Sequence, residues 1–466
     1  MGVRGAGNSS WVQELATLIP GRALTDSESI KAASSDFGRI IDRKPCVVVR
    51  PQSTGDVQET IRFAARRSLH ITARGAGHSQ SGQSLSDQIA LDLRDLNAVL
   101  RFDPVEETVV CQAGITWRLL LEKLLPLGLS PPVLTNNLDA TVGGTISTAG
   151  LGVSSWRYGT QADQCLECEV VTGSGDAMRC SPGAEPELFD AVRAGLGQFG
   201  VITEATLRLR RHKPTARTLY LLYDELNALL ADLKMLMEEE RFDDLEARCV
   251  PLPQGFKTAA GRPQSFAQWF FPLQATYETE GLAGIADGQK LRGLRYYKHV
   301  HTEDYEAGSF FSRLDPLFAL WKRGGFWDYA HPWVECVLPW ESAAAYVSHV
   351  VESIPPQALL GGHMLLWPGR GGASSAPLFV RPQSKFVLGF GILPAVPRER
   401  LAEALPLMDQ ASLAAMLAGG KRYLSGWVNF NPVQWQAHYG EIWPKLLEIK
   451  KKYDPLSIFP LGLGYL

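Results

Sequence analysis

The residues best suited to chemistry lie in the stretch from Leu69 to Gln83, where a short apolar run enters Arg74-Gly75-Ala76-Gly77-His78-Ser79. Two glycines let successive backbone N–H groups converge on one point, and a pyrophosphate fits such an anion-binding nest. The dinucleotide-fold fingerprint wants a third glycine and then a helix. Here Ser81, Gly82 and Ser84 follow and no helical period begins, which disfavours a nicotinamide-type βαβ site. Taken alone, a Gly-Ala-Gly loop is more often a turn than a phosphate site. A second glycine-rich element runs from Thr141 to Gly152, and a third, Gly195 to Thr203, contains Gly200, Val201 and Ile202. So little side-chain cover costs conformational entropy unless something packs on the backbone, and a flat ligand is one such partner. Tight packing within a β-rich domain explains any one of these elements; three within 130 residues strain that explanation.

The elements that must position these loops belong to a large chain. Its 466 residues suit two or three domains with a sizeable core, and 45% hydrophobic and 20% charged residues are ordinary for a globular enzyme. A formal charge of -3 with no dense basic run argues against a nucleic-acid partner. No apolar stretch is long enough for a membrane helix or a signal peptide, so no membrane partner and a cytoplasmic location are expected. Seven cysteines do not form a disulfide framework. Cys165 and Cys168 resemble a CxxC, but in a strand an offset of three sends the thiols to opposite faces, and no metal site is expected.

From about Ser35 to Arg211 short strands alternate with amphipathic helices. Strands are expected at Cys46–Arg50, His70–Ala73, Ile89–Leu93 and Thr108–Gln112, and helices at Asp56–Ala65 and Thr116–Leu124. After Lys213 come a helical run from Leu222 to Glu240, a Pro/Gly-rich loop from Pro251 to Pro263, and aromatic-rich segments from Phe266 to Trp340. A helix is expected over Trp435–Lys451. The layout is α+β, with a domain boundary near Arg211.

Several of these strings occur in one order. Asp36-Phe37-Gly38, Pro51 to Ser53 with Asp56 and Val57, the Arg74–Ser79 loop with Gly82 and Gln83, and Thr141 to Thr145 with Ala149 and Gly150 resemble the FAD-linked oxidase family, whose FAD domain is shared with vanillyl-alcohol oxidase. Glu187 to Val192, Gly195 to Thr203, Trp327-Asp328, His331 to Trp333 and Lys450 to Pro455 are most similar to cytokinin dehydrogenase. The resemblance implies an FAD-binding domain over 1–211 to which 428–466 returns, and a substrate-binding domain over 212–427 with an antiparallel sheet covered by helices. It implies FAD held by Arg74, Gly75, Ala76, Gly77, His78, Ser79 and Gln83, by Thr141, Gly143, Gly144, Thr145, Ser147 and Gly150, and by Gly200, Val201 and Ile202. His78 would be bonded covalently to the flavin, fixing the ring and making it a stronger oxidant. No cysteine accompanies the second glycine element, so a single bond is expected. The implied partners are a small-molecule substrate and an electron acceptor, oxygen or quinone-like.

The departures concern catalysis. Family members carry a basic aspartate seven residues before the first glycine of Val-Gly-Gly, and counting back from Gly143 gives Asn136. An amide is no base, so Asp139 or Glu335 substitutes, or the substrate differs. Glu335 stands where the family usually has asparagine. The C-terminal segment reads Leu461-Gly462-Leu463 in place of Pro-Gly-Gln, and Tyr423 to Trp427 differs from the family string, leaving Trp333, Trp367, Trp427 and Leu463 as walls of a more apolar pocket. The expected activity is oxidation of a C–N bond in a small, partly apolar amine. The alternatives are an alcohol, sugar or secondary-metabolite tailoring oxidase of the same fold, or a non-catalytic flavin-binding protein.

Overall fold

The computed structural model describes residues 6–259, 261–282, 287–359 and 361–460. Near the N-terminus the buried run Val47–Val49 pairs in parallel with Ile89–Asp92, which pairs in parallel with Ile71–Arg74, and Ala23–Leu24 closes the far edge antiparallel. The helix Thr54–Arg67 covers this sheet. Ser53 accepts from the Asp56 N–H while the Asp56 carboxylate accepts from the Ser53 N–H, a capping box that explains why Ser53 and Asp56 stand at that spacing. Val57, Ile61, Phe63 and Ala64 form its buried stripe.

A five-stranded antiparallel sheet follows, in the order Val99–Asp103, Thr108–Gln112, Val201–Arg208, Cys165–Val171, Ala177–Cys180. Eight strands then build one antiparallel sheet from residues 215–422, in the order Lys298–Glu306, Thr215–Tyr223, Arg262–Thr279, Asp244–Ala259, His363–Arg370, Phe386–Leu393, Val334–Pro339, Lys421–Arg422. Helices Leu226–Glu239, Trp340–Ser353 and Leu401–Leu417 bury their apolar sides on one face of it. The chain then returns: Trp435, Tyr439, Leu446, Ile449 and Tyr453 join the core beneath the five-stranded sheet, and Ile458 accepts from the Ile71 N–H. The architecture is the α+β one expected, with a large antiparallel sheet covered by helices. Among the described residues no helix is long and apolar enough to cross a membrane.

Four local expectations need correction. Residues 222 and 223 end a strand, and the helix begins at Leu226. Of the expected Pro251–Pro263 loop, residues 251–259 continue the strand Asp244–Ala259 and Arg262 and Pro263 open the strand Arg262–Thr279, with Pro251 opposite Trp269 and Pro253 opposite Ala267; a register shift between Pro253 and Gly255 absorbs the irregularity. The expected helix at Trp435–Lys451 is two helices, Pro432–Tyr439 and Trp443–Tyr453, broken at Gly440. The Cys165 and Cys168 sulfurs lie 3.2 Å apart on one face. Thr206 pairs with Glu167 but Leu207 with Cys165, so the strand bulges between the cysteines and cancels the alternation that would separate them. Both thiols are buried, and the hydrogen bond with Cys165 together with burial raises the Cys168 thiol and keeps it protonated.

Candidate active site

The histidine loop leaves the C-terminal end of the parallel strand Ile71–Arg74, the side of such sheets where ligands bind. Its shape is held by the Asp36-Phe37-Gly38 string: Phe37 N–H donates to Gly77 O at 2.8 Å and Gly38 N–H to Ser79 O at 2.9 Å. The buried Asp36 carboxyl accepts from Ser79 Oγ and the Gly82 N–H, both at 2.9 Å; burial, outweighing those donors, pushes it up to about 6. Gln83 donates to the carbonyls of Leu424 and Gly426, which ties the loop to the end of the large sheet. Gly77 has φ +68°, and a Cβ there would collide with the Arg74 guanidinium. Gly77→Val is therefore expected to give protein with little or no bound flavin, read from absorbance of the purified chain; full occupancy would show that the loop is only a turn.

The second glycine element is a short helix, Val142–Thr148, capped by Thr141. A Cβ on Gly75 would strike the Thr141 hydroxyl, so loop and helix start are in contact. Gly143 donates its N–H to Ala113 O, and Leu196 donates to Ser147 O, bringing in the third element. One cavity of about 320 Å³ is lined by all three: Arg74 to Ser79 with Gln83; Thr141, Gly143, Gly144, Thr145, Ser147 and Gly150; and Gly200, Val201 and Ile202. Arg74 is buried on this wall, and its Nη1 has no partner among the described residues. An orphaned guanidinium N–H beside backbone amides, with glycines where a Cβ would intrude, fits the pyrophosphate and flat ring of FAD.

His78 sits where this cradle meets the large sheet. Its ring packs on Phe37 (centroids 4.1 Å), Phe37 stacks on His331 (4.1 Å, 3°), and His331 on Trp321 (5.9 Å, 8°). Burial, with His331 adding to it, lowers His78 to about 4, so at neutral pH the imidazole is uncharged. The Asn137 amide lies 3.4 Å from His78 Nδ1.

The other wall is the face of the eight-stranded sheet opposite helices Leu226–Glu239, Trp340–Ser353 and Leu401–Leu417. One row of the ladder runs Arg248–Leu365–Gly391–Glu335, and all but Gly391 line the cavity. The indole of Trp367 lies across Gly389, where any Cβ would collide with it, and reaches Gly391. Glu335 faces the cavity and accepts from Ser425 Oγ at 3.0 Å. Burial pushes its carboxyl up to about 7, against the Ser425 hydroxyl and the Arg422 charge. Helix Asp315–Arg323 and the turn after it supply Leu317, Phe318, Trp321 and Trp327 as a third side.

The structure separates the remaining candidates. Asn136 lines the cavity, donating to Glu246 Oε2 at 3.2 Å and accepting from Arg313 at 3.2 Å. Asp139 does not line it: the carboxylate is exposed and bonded to Arg118 Nε at 2.6 Å, and the same guanidinium holds Asp315. Trp333 and Trp367 line the cavity. Trp427 packs instead toward the helices, with Nε1 donating to Asp409 at 2.9 Å, because it follows the turn that carries Ser425 inward. Leu463 lies outside the described residues. Sequence reasoning missed Phe37, Asn137, Glu246, Arg248 and His363. The alternation Leu245-Glu246-Ala247-Arg248-Cys249, apolar residues buried and polar ones between, was the available signal.

Fold and cradle together define an FAD-dependent oxidoreductase. Residues 45–181 match the FAD binding domain family model, and residues 288–464 match the model described as cytokinin dehydrogenase 1, FAD and cytokinin binding. The chain is 32% identical to "Uncharacterized oxidoreductase ORF5 in fasciation locus" of Rhodococcoides fascians, over 94% of this chain and 97% of the relative. It is 28% identical to cytokinin dehydrogenase 6 of Oryza sativa subsp. japonica (95% and 91% covered) and 26% identical to cytokinin dehydrogenase 1 of Arabidopsis thaliana (93% and 81% covered). The chain belongs to the FAD-linked oxidase family, within its cytokinin dehydrogenase-like group.

Proposed function

We propose that this protein oxidises a C–N bond of a small, partly apolar amine, that the cradle residues from Arg74 to Ile202 described above hold FAD, and that His78 carries the flavin covalently. Held by these residues, FAD would supply the two-electron acceptor for the hydride that the substrate gives up. Glu335 is the observation that carries the reading. It is a carboxyl inside the cavity whose affinity for a proton is matched to neutral pH, as removal of an N–H proton requires. Leu365, Trp367 and Trp333 shape the space beside it for an apolar body. The rice and Arabidopsis relatives are named for cytokinin dehydrogenation, which supports an amine as the reductant. Oxygen or a quinone-like acceptor would complete the cycle.

Mixing the flavin-loaded protein under argon with N-alkyl adenines, secondary amines and alcohols tests the reaction: at least one amine should bleach the flavin. Bleaching by alcohols alone would move the reaction to a C–O bond. The covalent link rests on a neutral imidazole in van der Waals contact with Phe37 at the edge of the cradle. After acid precipitation the colour should stay with the pellet, and His78→Ala should release it; flavin that washes out of the wild-type protein rules the link out.

A further inference from the structure

From the sheet face we infer that the substrate carries a carboxylate or like acidic group, held by Arg248 at the end of the cavity opposite Glu335. The inference rests on the proposed reaction only in taking Glu335 as the reacting end.

Arg248 and Glu335 occupy the two ends of the row Arg248–Leu365–Gly391–Glu335. Three strand spacings of ~4.8 Å separate them by ~14 Å at the backbone, and both side chains reach inward from there. Between them lie a leucine, a glycine and the Trp367 indole. The wall therefore reads cation, apolar span, carboxyl. A molecule that satisfies it has an acidic group at one end, an apolar middle and its reacting N–H and C–H at the other.

The charges around Arg248 favour an anion. Its one hydrogen bond among the described residues goes to Glu246 Oε1 at 3.1 Å, and its Nε is buried with no partner. Glu246 is shared: Oε2 accepts from Asn136, and Arg313, just behind the wall, adds a second guanidinium near it. Burial alone would raise the Glu246 carboxyl, but Arg248, Arg313 and Asn136 together hold it below the ordinary value. His363, on the same face, is lowered to about 4 by burial and by Arg248, and so is neutral. Asp244, outside the cavity, is pushed up to about 7 by burial and offsets Arg313 only in part. With Asn136 uncharged, the guanidinium groups of Arg248 and Arg313 stand against a single carboxylate at this end of the cavity, Glu246. A simple cation would be repelled here, and a carboxylate would meet the edge of the Arg248 guanidinium that its bond to Glu246 does not take up, a charge-assisted hydrogen bond of the stronger kind.

The test uses the flavin-loaded protein without turnover. Benzoate and benzamide, equal in shape and different in charge, are titrated while the bound flavin's absorbance is followed, with calorimetry as a second readout. Wild-type protein should bind benzoate about tenfold or more tighter than benzamide, the ratio a charge-assisted hydrogen bond supplies. Arg248→Met should erase that preference, and Arg248→Lys should keep part of it, since a lysine retains the charge but loses the planar fork. Equal binding of the two probes by the wild-type protein, or an unchanged preference in Arg248→Met, overturns the assignment. Because the wild-type comparison is decisive, failure of a variant to fold does not shelter the idea. Failure of every amine to bleach the flavin would sink the reaction and leave this titration standing.

Discussion

Glu335→Gln should slow flavin reduction under argon by about 10²–10⁴-fold, the usual cost of losing a working general base. The substitution keeps the shape of the side chain and an oxygen for the Ser425 hydroxyl, so cavity and cradle survive while the proton acceptor is lost. The pH dependence separates this role from a structural one. Folding raises the Glu335 carboxyl from the ordinary glutamate value to about 7, so the active, ionised form becomes populated as pH rises through about 7. Reduction by the wild-type protein should therefore climb across that range and level off above it, and the glutamine variant should lack that limb. The same raised value means that the protonated carboxyl favours the folded state at low pH and that this contribution is lost as pH rises through about 7; the glutamine variant should lack this dependence too. Asp139→Asn serves as the control, since its carboxylate is bonded to Arg118 outside the cavity and its loss should leave the reduction rate unchanged. Asn136→Asp should be tolerated only poorly, because the amide donates to the ionised Glu246 and a carboxylate there would face it. If Glu335→Gln protein reduces flavin at the wild-type rate at every pH, the assignment ends, leaving water as proton acceptor and favouring an alcohol or aldehyde substrate.

The parts of the site that were legible in the sequence are those written in consecutive residues. Arg74 to Ser79 could be singled out because its glycines and histidine stand in one stretch, although Asp36 to Gly38 hold its shape. The three glycine elements were suspect because so much bare backbone needs a neighbour. The wall facing them depends on register instead. Arg248, Leu365, Gly391 and Glu335 come from four strands, and nothing local to any one of them says that they share a row. Glu335 stands out by comparison with the family's usual asparagine, whereas Arg248 and Glu246 alternate with buried neighbours in a way that looks like an ordinary half-exposed strand. The cysteine pair failed for a related reason. Period-two reasoning assumes an unbroken ladder, and a single bulge between Glu167 and Cys165 inverted the result. Asp139 and Trp427 are near cavity residues in sequence, but a salt bridge to Arg118 and a hydrogen bond to Asp409 take them out of the site.

Lys450→Met should destabilise the protein by about 3–5 kcal/mol, the range expected when one partner of a buried ion pair is removed. Lys450 Nζ lies 2.8 Å from Asp454 Oδ2, with the two side chains 8% and 0% exposed, and its other protons go to the carbonyls of Gln198 and Phe459 at 2.8 and 2.9 Å. Asp454 in turn accepts from the N–H groups of Ile458 and Phe459. The pair thus closes the turn that follows the last helix and fastens it to the loop bearing Gly200, Val201 and Ile202. Methionine fills the space of the lysine stem but leaves a buried carboxylate without its countercharge and two carbonyls without the ammonium donor, so the loss is electrostatic and not one of packing. Urea unfolding followed by tryptophan fluorescence should show the shift, and flavin retention should fall at lower urea than in the wild-type protein because the released turn no longer supports the Gln198 carbonyl. Lys450→Met with Asp454→Asn should recover part of the loss, since no uncompensated charge is then buried. A single variant as stable as the wild-type protein would show that the C-terminal turn is held by Ile458 and Phe459 in the core alone, and that the charge pair adds nothing to the cradle.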